Sequence, residues 1–388
     1  MIFQPQLRIP GPTPLPERVT RAMSAPMIDH RGPEFASLLA EVTEGARKVF
    51  GTQGDVLVLT ASGTGGLESA IANLVSPGDK VVAAICGNFG ERFADLAAAY
   101  GAEVVRYEVE WGEPTDPDDL RRVLASHPDA SLVLLTHNET STGLTNQLEA
   151  LVRVVKDAGR LAVVDGVSSV SSMAVEVDRL GVDVCVSGSQ KGWMAPPGIA
   201  LVTVSTAAWK RQAQARSPRF YFDYAAAREF AAKGATPFTP AVGVLFALRE
   251  GIRMLLEEGL DQVYRRHREI ADATEAGLEA AGFRLYAADG YRSATVTSAL
   301  PPDGLDVNAF RKLLREKYGV VVAGGQGKMT GKMIRVGHLG AVNAGDIVQV
   351  LWAIEQALEE LDIRPNEGRG VAAAAQVLGE ASAAPALT

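Results

Sequence analysis

Seven short runs of apolar, β-rich residues, separated by stretches of helical spacing, constrain this chain more than any other feature. They read Val56–Thr60, Lys80–Cys86, Val104–Val109, Leu132–Thr136, Leu161–Asp165, Val182–Ser187 and Ile199–Val204. Several are apolar at nearly every position, so neither face can point to water, and the pattern predicts strands covered on both sides. Such strands alternating with helices predict an α/β fold with a mostly parallel seven-stranded sheet between helices. Ligands of these sheets bind beyond the carboxyl ends of the strands. The residues that follow each run therefore carry the functional reading.

From about Gly243 a long helical pattern through Arg249, Leu255, Val263 and Ile270, broken near Gly259, leads away from the sheet. Strand-like runs follow at Phe283–Tyr286, Ala294–Ser298, Val320–Ala323 and Met333–Val336, with helical patterns over Val307–Tyr318 and Ala344–Leu361. This mixture predicts a smaller C-terminal α+β domain. The chain is thus divided into an N-terminal arm (1–20), a large domain (21–255), a small domain (256–363) and a tail (364–388). Proline stiffens Pro10-Gly-Pro-Thr-Pro14, which predicts an extended arm lying over other parts of the protein. The tail is rich in Ala, Gly and Pro and reads as a loosely ordered appendage whose Ala-rich part can form a helix.

With 388 residues, a formal charge of -8 and 47% hydrophobic residues, the chain can bury a large core and has no long-range attraction to nucleic acid or an anionic membrane. No stretch approaches the roughly 20 apolar residues of a membrane span, and the start lacks the basic and apolar regions of a signal peptide, so a cytoplasmic location is expected. Cys86 and Cys185 lie inside apolar runs and read as buried, reduced and structural. The five histidines show no paired metal spacing and no metal is expected; His30 and His338 read as packing residues.

Three segments carry chemistry. Thr60-Ala-Ser-Gly-Thr-Gly-Gly follows one strand and opens a helix, so small residues, helix N–H groups and the Ser62 and Thr64 hydroxyls would suit a phosphate; a capped tight turn uses the same residues. Asp165 ends a doubly covered strand, where a carboxylate would keep a pyridine nitrogen protonated, or else cap a helix or form an ion pair. Lys191 interrupts the uncharged segment Val186-Ser-Gly-Ser-Gln-Lys-Gly-Trp. A desolvated lysine there would lose basicity as a Schiff-base nucleophile does, whereas a surface lysine would do nothing. All three lie just past strand ends and would converge on one crevice.

With these residues in order, the chain resembles the class V aminotransferases of pyridoxal-phosphate fold type I, specifically the alanine:glyoxylate and serine:pyruvate group. The resemblance spans roughly Ile9 to Leu361 and rests on Ser187-Gly-Ser-Gln-Lys-Gly-Trp-Met-Ala-Pro-Pro-Gly198, Pro10-Gly-Pro-Thr13, Ser62-Gly-Thr64, Glu139-Thr-Ser-Thr-Gly143 and Met333-Ile-Arg-Val-Gly-His-Leu-Gly340. It implies pyridoxal 5'-phosphate as cofactor, Lys191 as the lysine that holds it and Asp165 as the partner of its ring nitrogen. Ser62, Gly63, Thr64 and Gln190 resemble phosphate contacts, Phe89 the stacking aromatic, Val167 the packing residue on the opposite face, and Thr140 a hydroxyl close to the cofactor. The resemblance also implies a homodimer with shared active sites, in which Thr236 and Thr239 belong to the segment contributed to the neighbouring phosphate site. Arg335 resembles the arginine that grips a substrate α-carboxylate in a bidentate manner, and Gly11 would place a backbone N–H near the same substrate. Phe89, Thr140 and Thr236 stand where relatives often carry tryptophan or tyrosine, serine, and tyrosine; stacking or a hydroxyl is retained at each.

The implied activity is transamination of a small amino acid, alanine or serine, with a small 2-oxo acid, glyoxylate or pyruvate, in two half-reactions with ping-pong kinetics. A desulfurase-like lyase of the same class usually has histidine before the lysine and a reactive loop cysteine; here Gln190 precedes Lys191 and both cysteines sit in apolar runs. A cofactor-binding regulator would carry a basic DNA-binding head, and none precedes Pro10. A nicotinamide dehydrogenase would need G-x-G-x-x-G in the first glycine loop, which differs.

Overall fold

A computed structural model describes residues 5–363 and 368–383. Its strands in chain order are β1 (Gln6–Arg8), β2 (Asp55–Ala61), β3 (Lys80–Ile85), β4 (Glu103–Glu108), β5 (Leu132–Thr136), β6 (Asn138–Glu139), β7 (Leu144–Thr145), β8 (Leu161–Asp165), β9 (Val184–Gly188), β10 (Gly198–Val204), β11 (Arg284–Leu285), β12 (Val296–Leu300), β13 (Val320–Gly324) and β14 (Ile334–Gly337). The seven apolar runs form one sheet in the order β2-β10-β9-β8-β5-β3-β4. β10 runs antiparallel to both neighbours and the other pairs are parallel.

Strict alternation divides the sheet between two cores. Val133, Leu135, Ala162, Val164 and Cys185 join the core that contains Phe35, Val42 and Leu151, while Leu132, Leu134, Val163, Val184 and Val186 join Leu67, Ile71 and Phe93 on the other face. With both faces dry, polar side chains collect at the strand ends. Helix starts there are fixed locally: Ser62 Oγ accepts from Gly65 N at 3.2 Å and begins the helix Gly63–Leu74 immediately after β2.

The second sheet, β1-β13-β14-β12-β11, packs with the helices Leu260–Ala280, Val307–Glu316 and Ala344–Glu360 around Phe310, Ile334, Val336, Ile347, Leu351 and Ile354. The long helical pattern is two helices, Val242–Glu258 and Leu260–Ala280, parted at Gly259 with φ +85°. The N-terminal arm is extended but does more than lie over the protein. Its β1 pairs in parallel with β13, Gln6 opposite Val320, and Arg8 meets Asp346 at 2.6 Å.

The tail departs from the sequence expectation of a loosely ordered appendage. Arg369–Ala383 is a helix docked on Leu260–Ala280 and Ala344–Glu360, with Ala374 fully buried and Val371, Val377 and Leu378 against the small-domain core. Alanine is the best helix former, and its small side chain permits close approach, so composition that reads as low complexity folds once a surface is present. Glu355, buried in the helix Ala344–Glu360, accepts from Gly370 N at 2.5 Å and Val371 N at 3.2 Å, satisfying N–H groups at the start of the docked helix. The remaining tail residues, 364–367 and 384–388, lie outside the described residues. No helix among the described residues is long and apolar enough to cross a membrane.

Replacing Glu355 by Ala leaves two N–H groups without their acceptor, which costs about 1–3 kcal/mol. Urea unfolding of Glu355→Ala should show that loss, with faster amide exchange across Arg369–Ala383.

Candidate active site

The carboxyl ends of five parallel strands open on one cavity. β2 leads to Ser62, Gly63 and Thr64, β3 to Phe89 and Arg92, β5 to Asn138 and Thr140, β8 to Asp165 and Val167, and β9 to Gln190 and Lys191; all of these side chains or backbones line it. The Lys191 loop is held from beneath. Trp193, fully buried, donates from Nε1 to Ser187 Oγ at 2.8 Å and packs on Phe50 with ring centroids 5.7 Å apart, and Ser189 Oγ donates to Pro196 O at 2.6 Å.

Lys191 is no surface lysine. Its Nζ donates to Pro10 O at 2.6 Å, and a Cβ on Gly11, whose φ is +131°, would lie 2.7 Å from Lys191 Cδ and 2.8 Å from Nζ. Only glycine tolerates both that dihedral and that approach. The arm is pinned further by Thr13 N to Gln190 O (3.1 Å) and Thr13 Oγ1 to Lys191 O (3.1 Å). Burial lowers the ammonium's pKa to about 8; Asp165 opposes that shift, and Arg335 and Arg92 add to it.

Asp165, 5% exposed, accepts from Val167 N at 2.9 Å and has no ion-pair partner within 4.0 Å among the described residues. Burial raises its pKa to about 7, with Glu139 adding to the rise and Val167 N, Lys191 and Arg92 opposing it. An acid in this state lacks a cation. Around it Ser168 Oγ accepts from Asn138 Nδ2 and from Thr140 Oγ1, both at 2.8 Å, so Thr140 has a fixed orientation. At the far end of the cavity lie the helix start at Gly63 and the Gln190 side chain, whose Oε1 is buried without a partner. Amide oxygen and nitrogen are assigned by their surroundings; with the amide reversed, Gln190 aims two donors where an anion would sit. Arg92 lies there too, 3.4 Å from Thr64 Oγ1 and over the Phe89 ring at 5.0 Å.

Arg335, on β14, comes from the second sheet. It is 5% exposed and donates to Gly324 O (2.8 Å), Thr140 O (3.0 Å) and Gln326 Oε1 (3.2 Å), all neutral acceptors. Burial pulls its pKa down to about 10, Glu139 opposing and Arg311 adding. A buried guanidinium with no carboxylate within 4.0 Å among the described residues is poised for a carboxylate ligand.

Thr236 and Thr239 are not brought to this cavity within one chain. Thr236 Oγ1 donates to Phe238 O at 2.8 Å beside Tyr221, and Thr239 is exposed. Nearby, Phe220 is 80% and Tyr221 46% exposed, both within 5.4 Å of the Phe238 ring centre. His338 is buried, with Nε2 2.8 Å from Thr297 Oγ1, in keeping with a packing role. Both cysteines are buried and free; burial pushes the Cys86 thiol up to about 12 and Cys185 upward as well, opposite to what a nucleophilic thiol needs.

Sequence reasoning missed Arg92, Asn138, Ser168 and Glu139 as site residues. Glu139 had a readable signal. It is a charged residue just beyond the apolar run Leu132–Thr136, the criterion that singled out Asp165 and Lys191. Arg92 stands one helical turn after Phe89, a spacing that places both on one helix face.

The family model for Aminotransferase class-V matches residues 9–348. A Synechococcus protein named soluble hydrogenase, small subunit, is 43% identical, with 97% of this chain and 98% of that one covered. Serine–glyoxylate aminotransferase of Methylorubrum extorquens is 37% identical, with 96% of each chain covered. The crystal structure of ureidoglycine–glyoxylate aminotransferase from Bacillus subtilis superposes with a TM-score of 0.92 at 30% identity, over 97% of this chain and 98% of that one. This chain belongs to the class V aminotransferases, with their fold and their transfer of amino groups.

Proposed function

We propose that the protein binds pyridoxal 5'-phosphate in the cavity at Lys191 and transaminates a small amino acid, alanine or serine, with glyoxylate or pyruvate as acceptor, as a homodimer. The observation that carries this reading is the pairing, in one buried cavity, of a lysine lowered to about 8 and an aspartate without a cation. The cavity fits the cofactor on the chemistry of its donors. Ser62, Gly63, Thr64 and the unpartnered Gln190 amide would hold the phosphate at the helix start, Asp165 the ring nitrogen, and Phe89 and Val167 the two ring faces, with Thr140 beside them. Thr236 and Thr239 would serve the partner's phosphate site, which accords with their distance from this cavity and with the exposed aromatic side chains beside them.

When bound, the cofactor supplies an electron sink for the substrate's α-carbon. Asp165 would hold the ring nitrogen and favour its protonated form, which sustains that sink. Arg335 binds the α-carboxylate of donor and acceptor alike, with the Gly11 backbone near the same group. Lys191 Nζ would move the proton at the substrate's α-carbon, and its neutral form is available near pH 8 because burial favours it. The same residues serve both half-reactions. Glyoxylate in the names of two relatives supports that acceptor, while their different donors leave the choice of alanine or serine to the resemblance.

Three outcomes are expected. Lys191→Ala should lose the lysine-linked absorbance band with pyridoxal 5'-phosphate while remaining folded, and lose transamination by roughly 10²- to 10⁴-fold; an unchanged band would refute the assignment. Arg335→Lys should raise KM for both substrates about tenfold to a hundredfold with a smaller change in kcat, because the bidentate fork is lost. Since the Lys191 pKa is lowered, its reactive neutral fraction grows as pH rises through about 8. Capture of pyridoxal 5'-phosphate by cofactor-free protein, followed by absorbance, should accelerate from pH 6.5 through about 8 and level off roughly a unit above that.

A further inference from the structure

Glu139 is a fully buried carboxyl group beside the cavity to which the proposed mechanism gives no task. Its two oxygens each accept more than one hydrogen bond. Oε2 accepts from Phe89 N at 3.1 Å and Gly90 N at 3.0 Å; Oε1 accepts from Ser141 N at 3.1 Å and Ser141 Oγ at 2.6 Å, with a longer contact of 3.3 Å from Phe89 N. Ser141 Oγ in turn accepts from Asn88 N at 3.0 Å. These groups belong to two different strand ends. Asn88, Phe89 and Gly90 open the helix Asn88–Ala99 after β3, whereas Ser141 follows Thr140 in the turn after β5.

The fit is tight enough to exclude alternatives. A Cβ at Gly87 would overlap the Glu139 carboxylate and the Ser141 hydroxyl, so the chain approaches the acid as closely as a backbone can. Burial raises the Glu139 pKa, while the hydrogen bonds from Ser141, Gly90 and Phe89 at the helix start, where N–H groups have no partners within the helix, oppose that rise. The turn that Glu139 closes also presents Thr140 O to Arg335 Nη1 at 3.0 Å. One buried carboxyl group thus joins the backbone that carries Phe89 to the backbone that supports Arg335.

We propose that Glu139 is a positioning residue that fixes the Phe89 ring against the cofactor and, through the Thr140–Ser141 turn, sets the seat of Arg335. The proposal rests on the pyridoxal-phosphate reading of the cavity. In Glu139→Gln either orientation of the amide turns its NH2 toward a backbone N–H, of Phe89 and Gly90 or of Ser141, so one of the two strand ends is released.

The test is absorbance titration of cofactor-free protein with pyridoxal 5'-phosphate for wild type, Glu139→Gln, Phe89→Leu and the double variant, with thermal unfolding as a folding control. Glu139→Gln should weaken binding about tenfold or more, and in the Phe89→Leu background its effect should shrink to less than about twofold, since residues acting through one contact are not additive. In steady-state assays Glu139→Gln should also raise KM for the amino acid more than it lowers kcat. Unaltered cofactor affinity in a folded Glu139→Gln, effects that multiply in the double variant, or a loss confined to kcat would each overturn the proposal. If Glu139→Gln does not fold, Ser141→Ala, which removes only the hydroxyl between Asn88 N and Glu139, takes its place under the same criteria. Wild type that forms no lysine-linked band would sink the cofactor reading itself, whereas a normal wild-type band with an indifferent Glu139→Gln sinks only this inference.

Discussion

A sheet that is dry on both faces is the constraint on which this molecule depends. Residues such as Leu134 and Leu135 are each about 1% exposed yet point to opposite cores, so the two faces of the sheet rest on apolar packing. Polar and charged side chains are pressed to the carboxyl edge, where the parallel strands all end on the same side and β10 turns back. The geometry of a covered parallel sheet therefore dictates where the cavity lies before any chemistry is considered.

The charges at that edge form a deliberate imbalance. Lys191, Arg92 and Arg335 face or flank the cavity with only Asp165 and Glu139 in opposition, and Glu139 is already occupied by N–H donors. The surplus is positive in a chain whose formal charge is -8. Burying unpaired cations is costly, and the cost is offset when ligands arrive with a phosphate at one end and a carboxylate at the other. Low dielectric then makes each of those contacts stronger than it would be in water.

Much of this was legible in the sequence because burial leaves a mark on composition. Asp165 and Lys191 stand out as charges at the ends of apolar runs, and the seven runs are the seven strands of the sheet. Arg92 does not stand out, since it shares its helix with Glu91 and Asp95 and only packing decides which of them faces inward. β1 is three residues long and has no periodicity to read; its pairing depends on a partner near the other end of the chain. The Ala-rich helix was legible as a propensity but not as a docked element, because docking depends on the surface offered by Glu355 and Leu351. Thr236 and Thr239 lie outside the cavity, because sequence order alone does not say which loops the fold brings together.

The pairing of β1 with β13 has a temporal side. Gln6 leaves the ribosome long before its strand partner Val320 has been made, so the small sheet cannot close until that residue emerges. The same segment carries Pro10 and Gly11 onto Lys191. While a chain grows, the seven-stranded sheet can therefore collapse around an incomplete cavity before the arm has covered Lys191. The order of synthesis makes the arm the last wall of the site, although it is made before every other wall.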